Sequence, residues 1–312
     1  MPTVNDLHID QYLTDISIRY KNATYIATTA FPPVYVDKQS DKFPIYTKAD
    51  WFRDEARIRA PGEIVVTSDY NVSGTTGYFA ENYAAGKLIP DEHRRNADSV
   101  FDLDRDAAEW VTDRVQLKLE RLAIAAYWGC AKWATTACPT YWDNYADSDP
   151  ITNVETGKDT VLGATGTPAN TLILGYQAFR YLRQHPDIVD RIKYTQVGVV
   201  TEALLATLFG VERVLVGQNI YTATAEGEAA PTYAYNWGDD AWVGYVAPRP
   251  SKLVPSAGYC MIWRMPEAGG APYFVKRFRI DERGADKIEG HVYAHFKITA
   301  CDAGYFMHNV VT

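Results

Sequence analysis

Cysteine is scarce in this chain of 312 residues, which has only four. Cys130 and Cys138 form the nearest pair, and the seven residues between them are too many for a metal knuckle, while Cys260 and Cys301 stand alone. Reduced, partly buried thiols in a cytosolic setting are the expected state. No run of about 18 or more apolar residues occurs, so no membrane span is expected. The opening MPTVNDLHIDQYL has neither a basic region nor an apolar block, so no secretory signal is expected either. Positive charge is short as well, with 31 Lys and Arg against 39 Asp and Glu, a net charge of −8. That balance argues against steering of the whole molecule toward a phosphate backbone, so beside nucleic acid this chain would wall it off rather than read it.

Signatures of catalysis and cofactor binding are equally thin. The stretch GATGTP at Gly163 to Pro168 lacks the Lys-Ser/Thr ending of a phosphate loop and does not fit GxGxxG, and reads as a turn before a strand. Six histidines supply no HExxH. His291 and His295 share a strand face, but about 13 Å apart, too far to hold one ion between them. There is no GxSxG elbow, and the acids of DLDRD, Asp102 to Asp106, are explained by helix capping. No catalytic, cofactor-binding or metal-binding residue is assigned, and no enzyme is expected.

What is present is an unusual set of rings, 22 Tyr and 8 Trp against 11 Phe, which favours surfaces apolar on one side and wet on the other. Extensive protein contacts and a Tyr-rich solvent-facing sheet both fit. Asp37 to Gly62, DKQSDKFPIYTKADWFRDEARIRAPG, holds six Lys or Arg and five Asp or Glu among Phe43, Ile45, Tyr46, Trp51, Phe52 and Ile58. It is too polar for a core. Punctuated by Pro61 and Gly62 and returning through Val72, Gly74 and Gly77, it reads as a projecting hairpin. Alone in water a two-stranded hairpin is marginal, so it needs cover, either from another copy of the chain or from its own domain.

A helix is predicted from Asp102 to about Tyr127, roughly 35 to 40 Å long. Asp102 serves as cap, Asp104 and Asp106 sit in the first turn, Leu103, Ala107, Trp110, Val111, Leu117, Leu122 and Ala125 form the apolar face, and Arg114, Lys118 and Arg121 lie opposite. Trp128 to Pro168 reads as a connection. Beyond it come a buried strand at Thr171 to Leu174, helices at Tyr176 to Gln184, Asp187 to Ile192 and Val199 to Phe209, and a strand at Val211 to Val216, together an α/β layer. Thr222 to Pro231 reads as a surface loop. Strands are predicted at Ala241 to Val246, Tyr259 to Arg264, Tyr273 to Ile280 and Ile288 to Thr299, the last with Val292, Ala294, Phe296 and Ile298 on one face.

The segment RYKNATYIATTAFPPVYVDKQSDKFPIYTKADWFRDEARIRAPG, Arg19 to Gly62, resembles an N-terminal block of the major capsid proteins of tailed double-stranded-DNA bacteriophages, which have the HK97-like fold. DEHRRNADSVFDLDRDAAEWVTDRV, Asp91 to Val115, and LGYQAFRYLRQHPDIVDRIKYT, Leu174 to Thr195, extend the resemblance. It implies an α+β subunit with an N-terminal arm at 1–36, an extended E-loop hairpin at 37–75 and a peripheral domain at 76–165 with a spine helix near 102–127. An axial α/β domain at 166–255 and terminal strands at 256–312 returning to the peripheral domain complete the expectation.

The resemblance further implies self-assembly into pentamers and hexamers of an icosahedral virion shell, built in the host cytoplasm and enclosing double-stranded DNA in non-specific contact. A portal protein, a separate scaffolding protein and a decoration protein are the implied partners. Trp51 and Phe52 are the expected apolar anchors of the hairpin contact, with Arg53, Asp54, Glu55, Arg57 and Arg59 setting its register, the alternative being that Trp51 packs within its own subunit. Lys38, Lys42 and Lys48 lie where some members form Lys-Asn cross-links, but the sequence identifies no matching Asn and carboxylate. A cellular encapsulating shell, or an enzyme with an unfamiliar site, would be the other readings.

Overall fold

The computed structural model describes residues 22–312 apart from 23, 66, 75, 98–101, 138–139, 193–199, 229, 250–254 and 266–271. The chain enters through a helical turn, α1 (Ala27–Ala30), and β1 (Pro33–Val36). It climbs through β2 (Ser40–Lys42), β3 (Ile45–Tyr46) and α2 (Lys48–Trp51), and descends through β4 (Val72–Ser73) and β5 (Gly77–Phe79). Next come β6 (Glu81–Pro90), α3 (Asp91–Asn96) and the long α4 (Leu103–Tyr127). A second stretch holds β7 (Ala134–Ala137), α5 (Pro150–Thr165), β8 (Thr171–Gly175), α6 (Tyr176–Leu182), α7 (Pro186–Ile192), α8 (Glu202–Phe209) and β9 (Arg213–Gly217). The exposed strands β10 (Ile220–Thr222) and β11 (Tyr233–Tyr235) precede β12 (Ala241–Gly244), β13 (Gly258–Trp263), β14 (Tyr273–Ile280), β15 (Ala285–Ile298) and β16 (Gly304–His308).

Two five-stranded sheets organise these elements. In the first, the order is β1-β13-β15-β14, with β6 along the other side of β15. In the second it is β7-β16-β12-β8-β9, with β8 parallel to β9 and β7 parallel to β16. The alternation expected along β15 is present: Ile288, Val292, Ala294 and Phe296 are buried on one face while Tyr293 and His295 lie on the other.

Helix α4 begins where capping places it, with the Asp102 carboxylate accepting from the Arg105 amide. Its buried line is Ala107, Val111, Val115, Leu119, Ala123 and Tyr127, so Trp110 and Ala125, expected on the apolar side, are exposed. Gly290 lets the helix lie close on β15, since a Cβ there would stand 2.5 Å from a Val111 methyl. At the helix end the buried Tyr127 stacks on Phe31 at 3.7 Å, and its hydroxyl donates to the carbonyls of Tyr259 and Lys297.

Glu120, fully buried in α4, joins three parts of the chain. Its carboxylate accepts from the backbone N–H groups of Ile26 and Ala27, from Asn219 Nδ2 at 2.8 Å and from Trp237 Nε1 at 2.6 Å. Four donors on one buried carboxylate offset the desolvation that would otherwise disfavour it. A second brace closes the far end of α4. Asp286 of β15 receives Arg94 at 2.5 Å and Arg277 at 2.7 Å, Asp104 pairs with the same two arginines, and Arg279 grips Asp91 through two bonds. Hydrogen bonds from Arg277 and Arg94 hold the Asp286 carboxyl well below the usual range.

Three boundaries differ from expectation. Residues 24–36 are part of the subunit's own core, because Ile26, Ala27, Ala30 and Phe31 bury against α4 and β1 pairs in parallel with β13. Of the N-terminal arm assigned to 1–36, residues 1–21 lie outside the described residues. The expected connection from 128 to 168 contains α5, started by the Asp149 cap with Pro150 in the first turn and ended by Gly166 in the left-handed conformation. Val154 and Val161 of α5 pack with Leu172 and Leu205, which sets the helix on the second sheet rather than with α4. Finally β16 lies between β7 and β12, so the terminal strands divide between the two sheets.

Candidate assembly interface

The hairpin at 37–79 is held at its foot and touches the body of the subunit again along its outgoing leg. At the foot, Gln39 and Ala80 exchange hydrogen bonds, β2 pairs with β5, and Phe43 and Tyr78 cover Val34, Val36 and Met261. Higher up, β3 pairs with β4, and Asp50 ties the two legs together by accepting from Arg53 at 3.3 Å and from the Asn71 amide at 2.9 Å. A turn from Ala60 to Glu63, with Gly62 at φ 89°, reverses the chain. Ala60 N–H donates to the Glu63 carboxylate, and Arg59 Nε donates to the Glu63 carbonyl.

The residues expected to make contact all lie on this hairpin. Trp51 ends α2 with 54% of its surface exposed, against the rings of Tyr46 and Tyr70 at 5.8 and 6.1 Å. It packs within its own hairpin and still offers one face outward. Phe52, 63% exposed, lies beside Gly166 at the end of α5. Lys48 pairs with Asp302 at 3.2 Å, a second footing on the body of the subunit. Arg53 bridges Asp50 and Glu55, and the Ser68 hydroxyl together with Arg53 holds the Glu55 carboxyl below its ordinary range. Asp54, Arg57 and Arg59 stand exposed. Register within the hairpin is therefore set partly by its own charges.

The returning leg holds what the sequence reading passed over. Ile64 and Val65, just behind the turn, are 92% and 60% exposed, and Ile58 on the outgoing leg is fully exposed. Apolar residues immediately after Pro61-Gly62 were the available signal. Together with Tyr70 and Val72 they leave a strip of exposed apolar residues along the hairpin, where among the described residues β3 and β4 pair only with each other. Burying one such side chain is worth about 1.5–3 kcal/mol, far above the roughly 0–1 kcal/mol of an exposed ion pair.

Among the described residues no group of three or more His, Cys, Asp or Glu is placed to hold a metal ion. His185 is buried, bonded to Ser148 Oγ at 2.9 Å, and its burial pushes its pKa down. Among the described residues no helix is long and apolar enough to cross a membrane.

No family model matches the chain. The major capsid protein of Burkholderia phage BcepMu is 26% identical over 97% of this chain and 96% of its own length. A phage-related protein from Bordetella bronchiseptica RB50 superposes with a TM-score of 0.71 at 24% identity, covering 93% of this chain and 94% of that one. The capsid of Cyanophage P-SCSP1u gives a TM-score of 0.59 at 10% identity over 98% and 94% of the two chains. An encapsulin from Synechococcus elongatus has the same fold at a TM-score of 0.53, with 9% identity over 98% and 97%. Sequence kinship along nearly the whole chain and a shared architecture together make this protein a homologue of the phage major capsid proteins, with their α+β HK97-like fold.

Proposed function

We propose that the chain is a major capsid protein whose copies assemble as pentamers and hexamers into an icosahedral shell enclosing double-stranded DNA. Its role is structural rather than enzymatic. The observation that carries this reading is the hairpin, which is packed at its foot yet exposes Trp51, Phe52, Ile58 and Ile64 along its length. In the assembled shell those residues seat on an adjoining subunit, with Arg53, Asp54, Glu55, Arg57 and Arg59 fixing the register. Many copies repeat one modest contact, and closure makes the weak interfaces cooperative.

In this reading the hairpin serves as the E-loop. The first sheet with α4 forms the peripheral part, and the second sheet with α5 to α8 the axial part. The shell is built in the host cytoplasm with a portal and a separate scaffolding protein, and a decoration protein is a further partner. A cellular encapsulating shell would use the same fold. The full-length sequence kinship with a phage capsid protein favours the virion.

Negative-stain microscopy of the purified chain tests the reading, alone and with the scaffolding protein supplied. Closed particles or capsomers of uniform size are expected. Replacing Trp51 with Ala is expected to reduce particle yield at least tenfold while costing the subunit less than about 1 kcal/mol, since the ring is already half exposed. A native chain that stays monomeric at high concentration would sink the proposal, and particles holding an enzyme cargo instead of DNA would favour the compartment.

A further inference from the structure

The solvent face of α4 has a charge pattern opposite to that of the chain. From Trp110 to Ala125 its exposed positions are Trp110, Thr112, Arg114, Gln116, Lys118, Arg121 and Ala125, with no acid among them. This occurs in a chain with 39 acidic and 31 basic residues. Asp113, half-buried beside them, accepts from the Tyr25 hydroxyl at 3.0 Å, and Glu120 points into the core. At the helix start Arg105 is paired with Glu109.

Arg114, Lys118 and Arg121 follow the spacing i, i+4, i+7 and so form one line along the helix, about 10 Å from first to last. Among the described residues none of the three has a carboxylate within ion-pair distance. Each instead lies over a ring: Arg114 over Trp110 at 5.0 Å, Lys118 over Tyr83 at 5.4 Å and Arg121 over Tyr221 at 3.9 Å. Glu81, the acid nearest in sequence to Tyr83, is engaged by the Tyr83 hydroxyl. A cation resting on a ring is held in place without being neutralised, and its N–H donors remain available to an anion.

We infer that this line is a contact surface for the phosphate backbone of double-stranded DNA. The inference rests on the reading of the chain as a subunit of a DNA-enclosing shell and assigns the surface that faces the polyanion. A duplex carries one charge per about 1.7 Å of axis, so about six phosphates pass along the length of the line. Cations set in line match the charge of the backbone and supply no base-edge readout, so the contact follows the backbone and does not read sequence.

The test is fluorescence anisotropy of a labelled duplex of about 20 base pairs, at about 50 to 200 mM salt, with the purified chain below the concentration at which particles form. Three phosphate contacts predict a slope of about −2.7 in log affinity against log salt. The variant R114Q/K118Q/R121Q should bind at least tenfold more weakly, and each single substitution should reduce the slope by about 0.9. The control K276Q/K287Q, on β14 and β15, should bind as the native chain does. Absence of native binding at the lowest salt, or equal binding by the triple variant, overturns the inference. So does a triple variant that loses self-association but keeps duplex binding, since the line would then join copies of the chain. Shell formation is scored separately by microscopy, so DNA binding without shells refutes the proposed function alone, and shells without binding refute this inference alone.

Discussion

Glu120 shows how much can depend on one side chain. Exchanging its carboxylate for the amide in Glu120→Gln places an N–H₂ group against donors from Ala27, Asn219 or Trp237 in a site without solvent. A loss of about 2–4 kcal/mol is expected, read as a lower denaturation midpoint with an unchanged denaturant slope. Gly290→Ala should cost about 1–3 kcal/mol, because the added methyl group meets Val111 on a helix that cannot retreat. Neither role was legible in the sequence. A glutamate within an amphipathic helix announces no partner, and its four donors come from residues 26, 27, 219 and 237, far away along the chain.

Elements were legible in proportion to the regularity of their pattern. Helix α4 and strands β8, β13, β14 and β15 follow from capping and periodicity, whereas α5 contains Gly157, Gly163 and several β-branched residues that weaken its propensity. Gly157 is there for packing: a Cβ would stand 2.6 Å from Val243 and 2.8 Å from Tyr305. The contact with the second sheet thus explains the glycine that obscures the helix. The ion-pair brace around Asp286 is an element-scale device too, joining α3, the start of α4, β14 and β15.

Two of the shifted groups, His185 and Asp286, lower stability in the same direction as pH falls. His185 is kept neutral by burial while its unfolded counterpart takes up a proton below about 6.5, so stability begins to fall below that pH. The depressed Asp286 carboxyl contributes stability that is complete above its unfolded value of 3.8 and is lost progressively as pH falls below that value toward the lower pKa of the folded state. Urea midpoints measured from neutral pH downward should therefore decline in two steps. Arg94→Ala should shrink the acidic step and leave the upper one in place.

For the whole molecule, the proposed function makes assembly depend on the exposed apolar residues of the hairpin. Ile58→Asp and Ile64→Asp are expected to abolish particle formation while shifting subunit stability by less than about 0.5 kcal/mol, because both side chains contact solvent. Sedimentation velocity beside a thermal melt separates the two effects. A variant that melts early would show that the strip folds back on its own body, and one that still assembles would remove these residues from the interface.

Sequence alone determined the hairpin's mixed composition, the register of the helices and strands with clear periods, and the kinship with phage capsid proteins, because these depend on near neighbours or on quoted motifs. Tertiary structure alone decided that residues 24–36 belong to the core, that α5 and β16 join the second sheet, and that Glu120 holds three segments together. Those outcomes depend on groups distant along the chain meeting in a dry interior, where an unpaired donor or an ill-fitting methyl is costly and no local pattern records the partner.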